Sequence, residues 1–465
     1  MDETQTNNVI VLVLDSIRAD HCSTYGYKRE TTPELSAFAE DAYTFEHAYS
    51  TGSWTVPAHG SLFTGRLPTE HGAHADHKYL SQNADETLSG KLRKKGYHTA
   101  CFSGNPWLTN EFGFDTGFDQ IDHIRSKLPF DDAGDPRELN WYDNTFKTAY
   151  QAGQWILGDN PIKRTVNAVS LRLSNWTFPK GDRLNDVMID WLDTDAGDDP
   201  FFLFANYMDG HEPYLLDEPY DKFLDETTGE ELDINWNLGS LINPPKTDKT
   251  TIVDAYDSSL HYLDKTIGEF IAELNERGIL DNTALVVLGD HGQCLGDHEY
   301  WGHGTFLYKE LLHVPVIIRP PGGADESKRI TRITSLTDVY DFILDLATGE
   351  FSPDQSTEVT RNAEIAACAE SLGKHQDIAI PDDQYSTRGY RALYLPDVSG
   401  VHNLETDEYT LRSPDGSELQ CDDREVELRN TEQELLDQMD RYEGKESERE
   451  LEEKTRRQLE DLGYM

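Results

Sequence analysis

Three short apolar runs constrain the fold more than anything else in the chain. NVIVLVL (8–14), FFLFANYM (201–208) and TALVVLG (283–289) are continuously or nearly continuously apolar, and each runs into a carboxylate, Asp15, Asp209 and Asp290. A strand with apolar residues on both faces must be covered on both, which is the condition of strands inside a parallel sheet flanked by helices. Two further runs, GYHTACFSG (96–104) and VPVIIRPPG (314–322), read as strands, and TTPELSAFAEDAYTF (31–45), RLNDVMIDWLDT (183–194) and residues 252–277 carry helical spacing. The alternation of strand and helix predicts a doubly wound, mostly parallel α/β sheet. Ligands of such sheets gather beyond the carboxyl ends of the strands, so the three acids, far apart in sequence, are expected on one face.

Two segments interrupt the alternation. Residues 121–180 are polar and irregular, and 215–250 are rich in Pro and Asp, so both read as insertions near the site. After about residue 350 the pattern changes: AEIAACAES (363–371), YRALYLP (390–396) and EYTLRSPDGSELQ (408–420) read as short antiparallel strands, followed by a charged, solvated helix over 431–462. The expected organisation is a catalytic domain over 1–350 and a small α+β subdomain over 351–465.

Charge then excludes whole classes of partner. The 465 residues contain 41 Lys and Arg against 87 Asp and Glu, a formal net charge of −46. Such a surface repels phosphate backbones, which argues against nucleic acid, and fits a high-salt cytoplasm in which screening removes self-repulsion. An anionic substrate must therefore meet a local positive centre, and a metal ion is the expected one. Five scattered cysteines without a CxxC pair read as reduced thiols. The opening MDETQTNN lacks a basic signal region, and no apolar run reaches membrane-spanning length, so a cytoplasmic protein without a transmembrane segment is expected. Oligomeric state is not legible in the sequence.

Asp15 taken alone reads as a helix N-cap before it reads as a metal ligand. Asp290 and His291, adjacent between glycines at a strand end, offer an oxygen and a nitrogen ligand, or else a turn Asp beside a surface His. YMDGHEPY (207–214) adds Asp209 and His211, and GDHEYWGHGT (296–305) adds His298 and His303. His and Asp clustered at several strand ends favour a metal-centred site. Thr55, in SWTVPAHGSLFTGRLP (53–68), reads on its own as either a β-branched core residue or a nucleophile. No GxGxxG follows a strand, and no paired cysteines suggest a zinc finger.

The order VLDSIRADHCSTYGYKRETTPELSAFAEDAYTFEHAYS, WTVPAHGSLFTGRLP, PFFLFANYMDGHEPY and NTALVVLGDHGQCLGDHEYWGHG, then LLHVPVIIRPPG, resembles the sulfatase family of the alkaline phosphatase superfamily, over roughly residues 8–350. The resemblance implies an alkaline-phosphatase-like sheet and a metal-dependent ester hydrolase. The metal ligands it implies are Asp15, Asp290, His291 and Thr55 Oγ. His211 falls on a family His that contacts substrate or leaving group, and His303 on a position that is Lys in many sulfatases. His59 replaces an Arg, Asn105 lies where a GKWHLG-like segment is usual, and both are assigned to substrate binding. Ser16 stands in place of a second metal-binding Asp.

Thr55 replaces the Cys that formylglycine sulfatases oxidise. Its methyl group bars an aldehyde, so direct attack by the Thr oxygen remains. This resembles the Thr-using phosphodiesterases, phosphonate hydrolases and phosphoglycerol transferases of the superfamily. The expected substrate is a small-molecule, glycan or lipid head-group ester of sulfate or phosphate, with a non-catalytic anion binder as the further alternative. The ligand set suits Mn, Mg or Zn better than Ca. One ion is expected rather than two, the second set being Asp209, His211 and His303. His211 and His303 are then expected to protonate the leaving group or hold the anion.

Overall fold

A computed structural model describes residues 6–124, 129–134, 136, 153–173, 180–197, 199–216, 218–224, 247–324, 326–353, 367–373, 385–413 and 416–442. The main sheet has eight strands: β1 (Asn8–Leu14), β2 (Tyr43–Tyr49), β3 (His98–Ser103), β4 (Gln120–His123), β5 (Phe201–Tyr207), β6 (Thr283–Gly289), β9 (Val316–Arg319) and β10 (Lys328–Ser335). A separate hairpin, β7 (Cys294–Asp297) and β8 (Tyr300–Gly302), follows β6. The spatial order is β10-β2-β9-β6-β1-β5-β3-β4. Only β9 runs against the rest, pairing antiparallel with both β2 and β6.

The apolar run of β1 is explained by its two faces. Val9, Val11 and Val13 pack against Val56, Leu62, Leu88, Leu92, Val339 and Ile343, which come from the helices Thr55–Thr64, Leu88–Lys94 and Leu336–Thr348. Ile10, Leu12 and Leu14 face Leu35, Met188, Ile252, Leu260 and Ile267 from the helices Pro33–Phe38, Gly181–Thr194 and Lys249–Glu276. Burying these six β1 side chains contributes on the order of 10 kcal/mol before chain entropy is counted.

Several sequence expectations need correcting. The helix read over 31–45 ends at Phe38, and Tyr43 already belongs to β2. Neither β2 nor β10 has a continuous apolar run, because each carries exposed polar positions among its buried ones. Residues 120–123, which overlap the start of the presumed insertion, form the edge strand β4, whose QIDH sequence is half-buried throughout. Within 121–180 a helix spans Pro161–Leu173, while 225–246 of the second insertion lie outside the described residues.

The C-terminal part is an antiparallel meander of β11 (Ala367–Leu372), β12 (Gly389–Tyr394), β13 (Ser399–Asn403), β14 (Glu408–Arg412) and β15 (Glu418–Leu419). The charged helix covers Asp422–Gln438 rather than beginning at 431. Leu428 and Leu435, one apolar stripe two turns apart, fasten it to this sheet, and residues 443–462 of the expected helix lie outside the described residues. Buried Arg391 joins Glu370 on β11 to Glu432 on the helix, and Glu370 accepts from both the backbone and the hydroxyl of Thr69. The meander is thereby tied to the turn that follows the helix Thr55–Thr64. Among the described residues no helix is long and apolar enough to cross a membrane, and all five cysteines are unpaired.

Candidate active site

The carboxyl ends of four neighbouring parallel strands, β6, β1, β5 and β3, converge. β1 delivers Asp15, β6 delivers Asp290 and His291, β5 leads to His211, and β3 leads to Asn105. The turn after β1 is strained: Ser16 adopts φ 62, a left-handed conformation that costs a non-glycine residue about 1 kcal/mol or more. That conformation accompanies two bonds, from Ser16 N–H to Asp290 Oδ1 (3.2 Å) and from its hydroxyl to Asp15 Oδ1 (2.9 Å). The hydroxyl that replaces an acid in the sequence pattern thus orients the remaining one. Gly292 is required by packing, since a Cβ there would lie 2.0 Å from Glu310 O.

Thr55 opens a ten-residue helix and is 1% exposed. Pro57 fits the first turn, where its missing N–H leaves no bond unmade, and Gly65 closes the helix at φ 67. The helix N-terminus places partial positive charge around the Thr55 oxygen. Asn105 Nδ2 donates to Thr55 Oγ1 (3.1 Å) and to Asp15 Oδ2 (2.8 Å). Its orientation is set from behind, because Asn105 Oδ1 accepts from Trp107 N–H at 2.9 Å.

The potential metal-ligand atoms of Asp15, Asp290 and His291 all lie within 4.8 Å of one another. His291 Nε2 is 3.6 Å from Asp15 Oδ1 and 3.5 Å from Asp290 Oδ2. His291 Nδ1 donates to Gly292 O (2.9 Å), which leaves the Nε2 lone pair facing the two acids. Asp290 Oδ2 and His291 Nε2 are buried and lack any hydrogen-bond partner. Such atoms are expensive to bury unpaired, and two carboxylates converging with a neutral imidazole nitrogen suit a divalent cation. Burial pushes both acids up, but the imidazoles of His211, His291 and His59 and the Asn105 bond outweigh it at Asp15, which sits below its usual value. Asp290 is pushed well above its usual value by burial and by the Asp15 charge.

His59 is one helical turn after Thr55 and fully buried. Its Nδ1 lies 3.1 Å from Thr55 O and 3.5 Å from Asp290 Oδ2, and burial lowers its pKa to about 4.

A second group, His211, Glu212 and His303, adjoins the first. The His303 ring centroid is 4.6 Å from that of His291 and 5.0 Å from that of His211. His211 Nδ1 donates to Glu212 O (2.6 Å), and His303 Nδ1 pairs with Gln293 Oε1 (2.7 Å). Asp209 does not join this set, contrary to the second-ion expectation. The Tyr220 hydroxyl binds Asp209 Oδ1 at 2.8 Å, and burial lifts the carboxyl to about 7. Glu212, unassigned in the sequence reading although adjacent to His211, takes the third place. His298 pairs instead with Glu310, outside the site.

Comparison with known proteins points to one family. A family model described as Sulfatase matches residues 7–349. An arylsulfatase of Clostridium perfringens is 26% identical over 370 residues, covering 73% of this chain and 74% of its own. A phosphonate monoester hydrolase from Silicibacter pomeroyi superposes with a TM-score of 0.64 at 20% identity, over 93% of this chain and 94% of its own. A protein of the alkaline phosphatase superfamily from Vibrio parahaemolyticus gives a TM-score of 0.59 at 17% identity, over 93% and 88%.

Proposed function

The chain belongs to the sulfatase family, and on that premise we propose a metal-dependent hydrolase that attacks sulfate or phosphate-type esters with Thr55. The observation that carries the nucleophile assignment is the Asn105 amide, which donates to Thr55 Oγ1 and Asp15 at once while Trp107 prevents it from turning over. A fixed N–H donor and a helix N-terminus favour the anionic form of the oxygen they surround.

Asp15, Asp290, His291 and the Thr55 oxygen would hold the divalent cation, which when bound supplies Lewis acidity that lowers the hydroxyl pKa and offsets charge on the transferred group. One ion is supported by the distribution of orphaned atoms. Asp290 and His291 have them, whereas Glu212 Oε2 and His303 Nδ1 are engaged within the protein. The Thr55 oxygen, its proton lost to water, forms a bond to sulfur or phosphorus as the ester oxygen leaves, and His303, with His211 beside it, delivers a proton to that leaving oxygen. Water then cleaves the sulfo- or phospho-threonine.

Because a threonine gives no aldehyde, the phosphonate and phosphodiester reading stands beside the sulfate one, supported by the fold shared with a phosphonate monoester hydrolase. We place the protein in the cytoplasm on its unpaired thiols. The test is turnover of aryl sulfate, phosphate diester and phosphonate monoester with added Mn²⁺. Wild type and Thr55→Ser are expected to turn over at least one of them, and Thr55→Ala none. Full activity in Thr55→Ala would remove the nucleophile.

A further inference from the structure

Gln293 and Glu212 have no part in the chemistry so far, yet both are buried beside it, at 0% and 6% exposure. Gln293 Nε2 donates to Glu212 Oε2 at 3.0 Å, and Gln293 Oε1 faces His303 Nδ1 at 2.7 Å. The directions of these bonds are linked. A carboxylate only accepts, so it requires the NH₂ end of the amide, which turns the C=O end towards His303. A C=O end only accepts, so His303 carries a proton on Nδ1 whether the ring is neutral or doubly protonated, and a proton passed on to substrate must come from Nε2. The backbone of Gln293 is itself held, because the buried guanidinium of Arg18 donates to Gln293 O (3.1 Å) and pairs with Asp297 (2.7 Å).

We propose that Glu212 and Gln293 are positioning residues, a two-step hydrogen-bond chain that holds His303 Nδ1–H and so fixes the ring orientation, such that the doubly protonated ring passes its Nε2 proton to the leaving oxygen and is left as the Nδ1–H tautomer. The inference rests on the functional reading above and assigns both residues a role in leaving-group departure. In this chain the His303 position has a supporting pair because an imidazole, unlike a lysine amine, has two inequivalent nitrogens and a ring plane to set.

The experiment compares a 4-nitrophenyl ester with an unactivated alkyl ester of the same acid, since only the poor leaving group needs the proton. Gln293→Met keeps the side-chain length and removes the acceptor. Its kcat on the alkyl ester is expected to fall about 10-fold or more beyond any fall on the nitrophenyl ester. Glu212→Met, which frees the amide to turn over, is the second variant and should change the ratio in the same direction. The exchanged pair Glu212→Gln with Gln293→Glu restores an acceptor for His303 Nδ1 and a donor to it from position 212, and its ratio should return to within about 3-fold of wild type. Equal losses on both esters in the single variants, or an exchanged pair no better than Gln293→Met, would overturn the proposal. A wild-type protein that turns over neither ester sinks the functional reading itself. An active wild type with an unchanged ratio in the variants sinks only this inference.

Discussion

Asn105→Ala is the most informative single substitution at the nucleophile. It deletes the donor 3.1 Å from Thr55 Oγ1 and, in the same step, the bond of 2.8 Å to Asp15. The charge that Asn105 stabilises appears on the Thr55 oxygen when its proton leaves, so the loss lowers the reactive alkoxide fraction rather than substrate binding. Removing a hydrogen bond to that charged oxygen costs about 1.5–3 kcal/mol, so kcat should fall about 10- to 150-fold. KM should change little, because substrate binding does not require the alkoxide. Two controls keep the result readable. Trp107 N–H loses its acceptor, at about 1–3 kcal/mol of stability, which thermal unfolding measures separately. Metal content by elemental analysis must stay at the wild-type level, since Asp15 loses an orienting bond. Steady-state kinetics on the best ester substrate is the assay. A fall of less than about 5-fold in kcat, or a loss confined to KM, would refute the role assigned to this amide.

Other perturbations probe independent parts of the molecule. Chelation should abolish turnover and lower the unfolding midpoint, because Asp15 and Asp290 then face each other without a cation, and one equivalent of Mn²⁺, Zn²⁺ or Mg²⁺ per chain should restore both; activity and stability unmoved by chelator in a metal-free sample would contradict it. His71 is buried with Nδ1 accepting from Ala73 N–H, and burial depresses its pKa to about 3. The folded value lies below the unfolded one, so its stability is fully present above pH about 6.5 and is lost as pH falls, by about 3 kcal/mol near pH 4.5. Urea titrations at several pH values should show His71→Gln flattening that slope; an unchanged slope would rule the residue out. Arg391→Met leaves the carboxylates of Glu370 and Glu432 buried without their guanidinium and should cost about 3–5 kcal/mol in denaturant unfolding, whereas a change under about 1 kcal/mol would show the network to be dispensable.

The fold was legible where burial is two-sided. The runs ending at Asp15, Asp209 and Asp290 are apolar at nearly every position because both sheet faces are covered, and that alone predicts the parallel centre. Strands β2, β4 and β10 lack that pattern, so their pairing partners decide them rather than their own composition. At the site, Asp15, Asp290 and His291 stand out at strand ends, but their assignment as ligands, like that of Thr55 as nucleophile, needed the family's motif order, since nothing in WTVPAH itself distinguishes an attacking hydroxyl from a buried one. The exchange of Asp209 for Glu212 was beyond the sequence because it hangs on Tyr220, eleven residues downstream, capturing one carboxyl and leaving its neighbour to the histidines. Gln293 escaped notice because an amide carries no titration or ligand signal, and its role appears only in the direction of its hydrogen bonds.

The strand order also sets a timetable. β1 is the first strand made and stands at the centre of the sheet, yet its two neighbours are β5 and β6, which begin at Phe201 and Thr283. At a ribosomal rate of about 5–20 residues per second, the first of them emerges some 10–40 s after β1. For that interval VIVLVL has no neighbouring strand to pair with and only the early helices Pro33–Phe38, Thr55–Thr64 and Leu88–Lys94 to cover it, so a nascent chain ending before Tyr207 leaves an aggregation-prone strand unpaired. Ser16 N–H meets Asp290 only after 274 further residues have been added. The catalytic face is therefore assembled last from the segment that was synthesised first, and chaperone demand during synthesis should fall sharply once β6 has emerged.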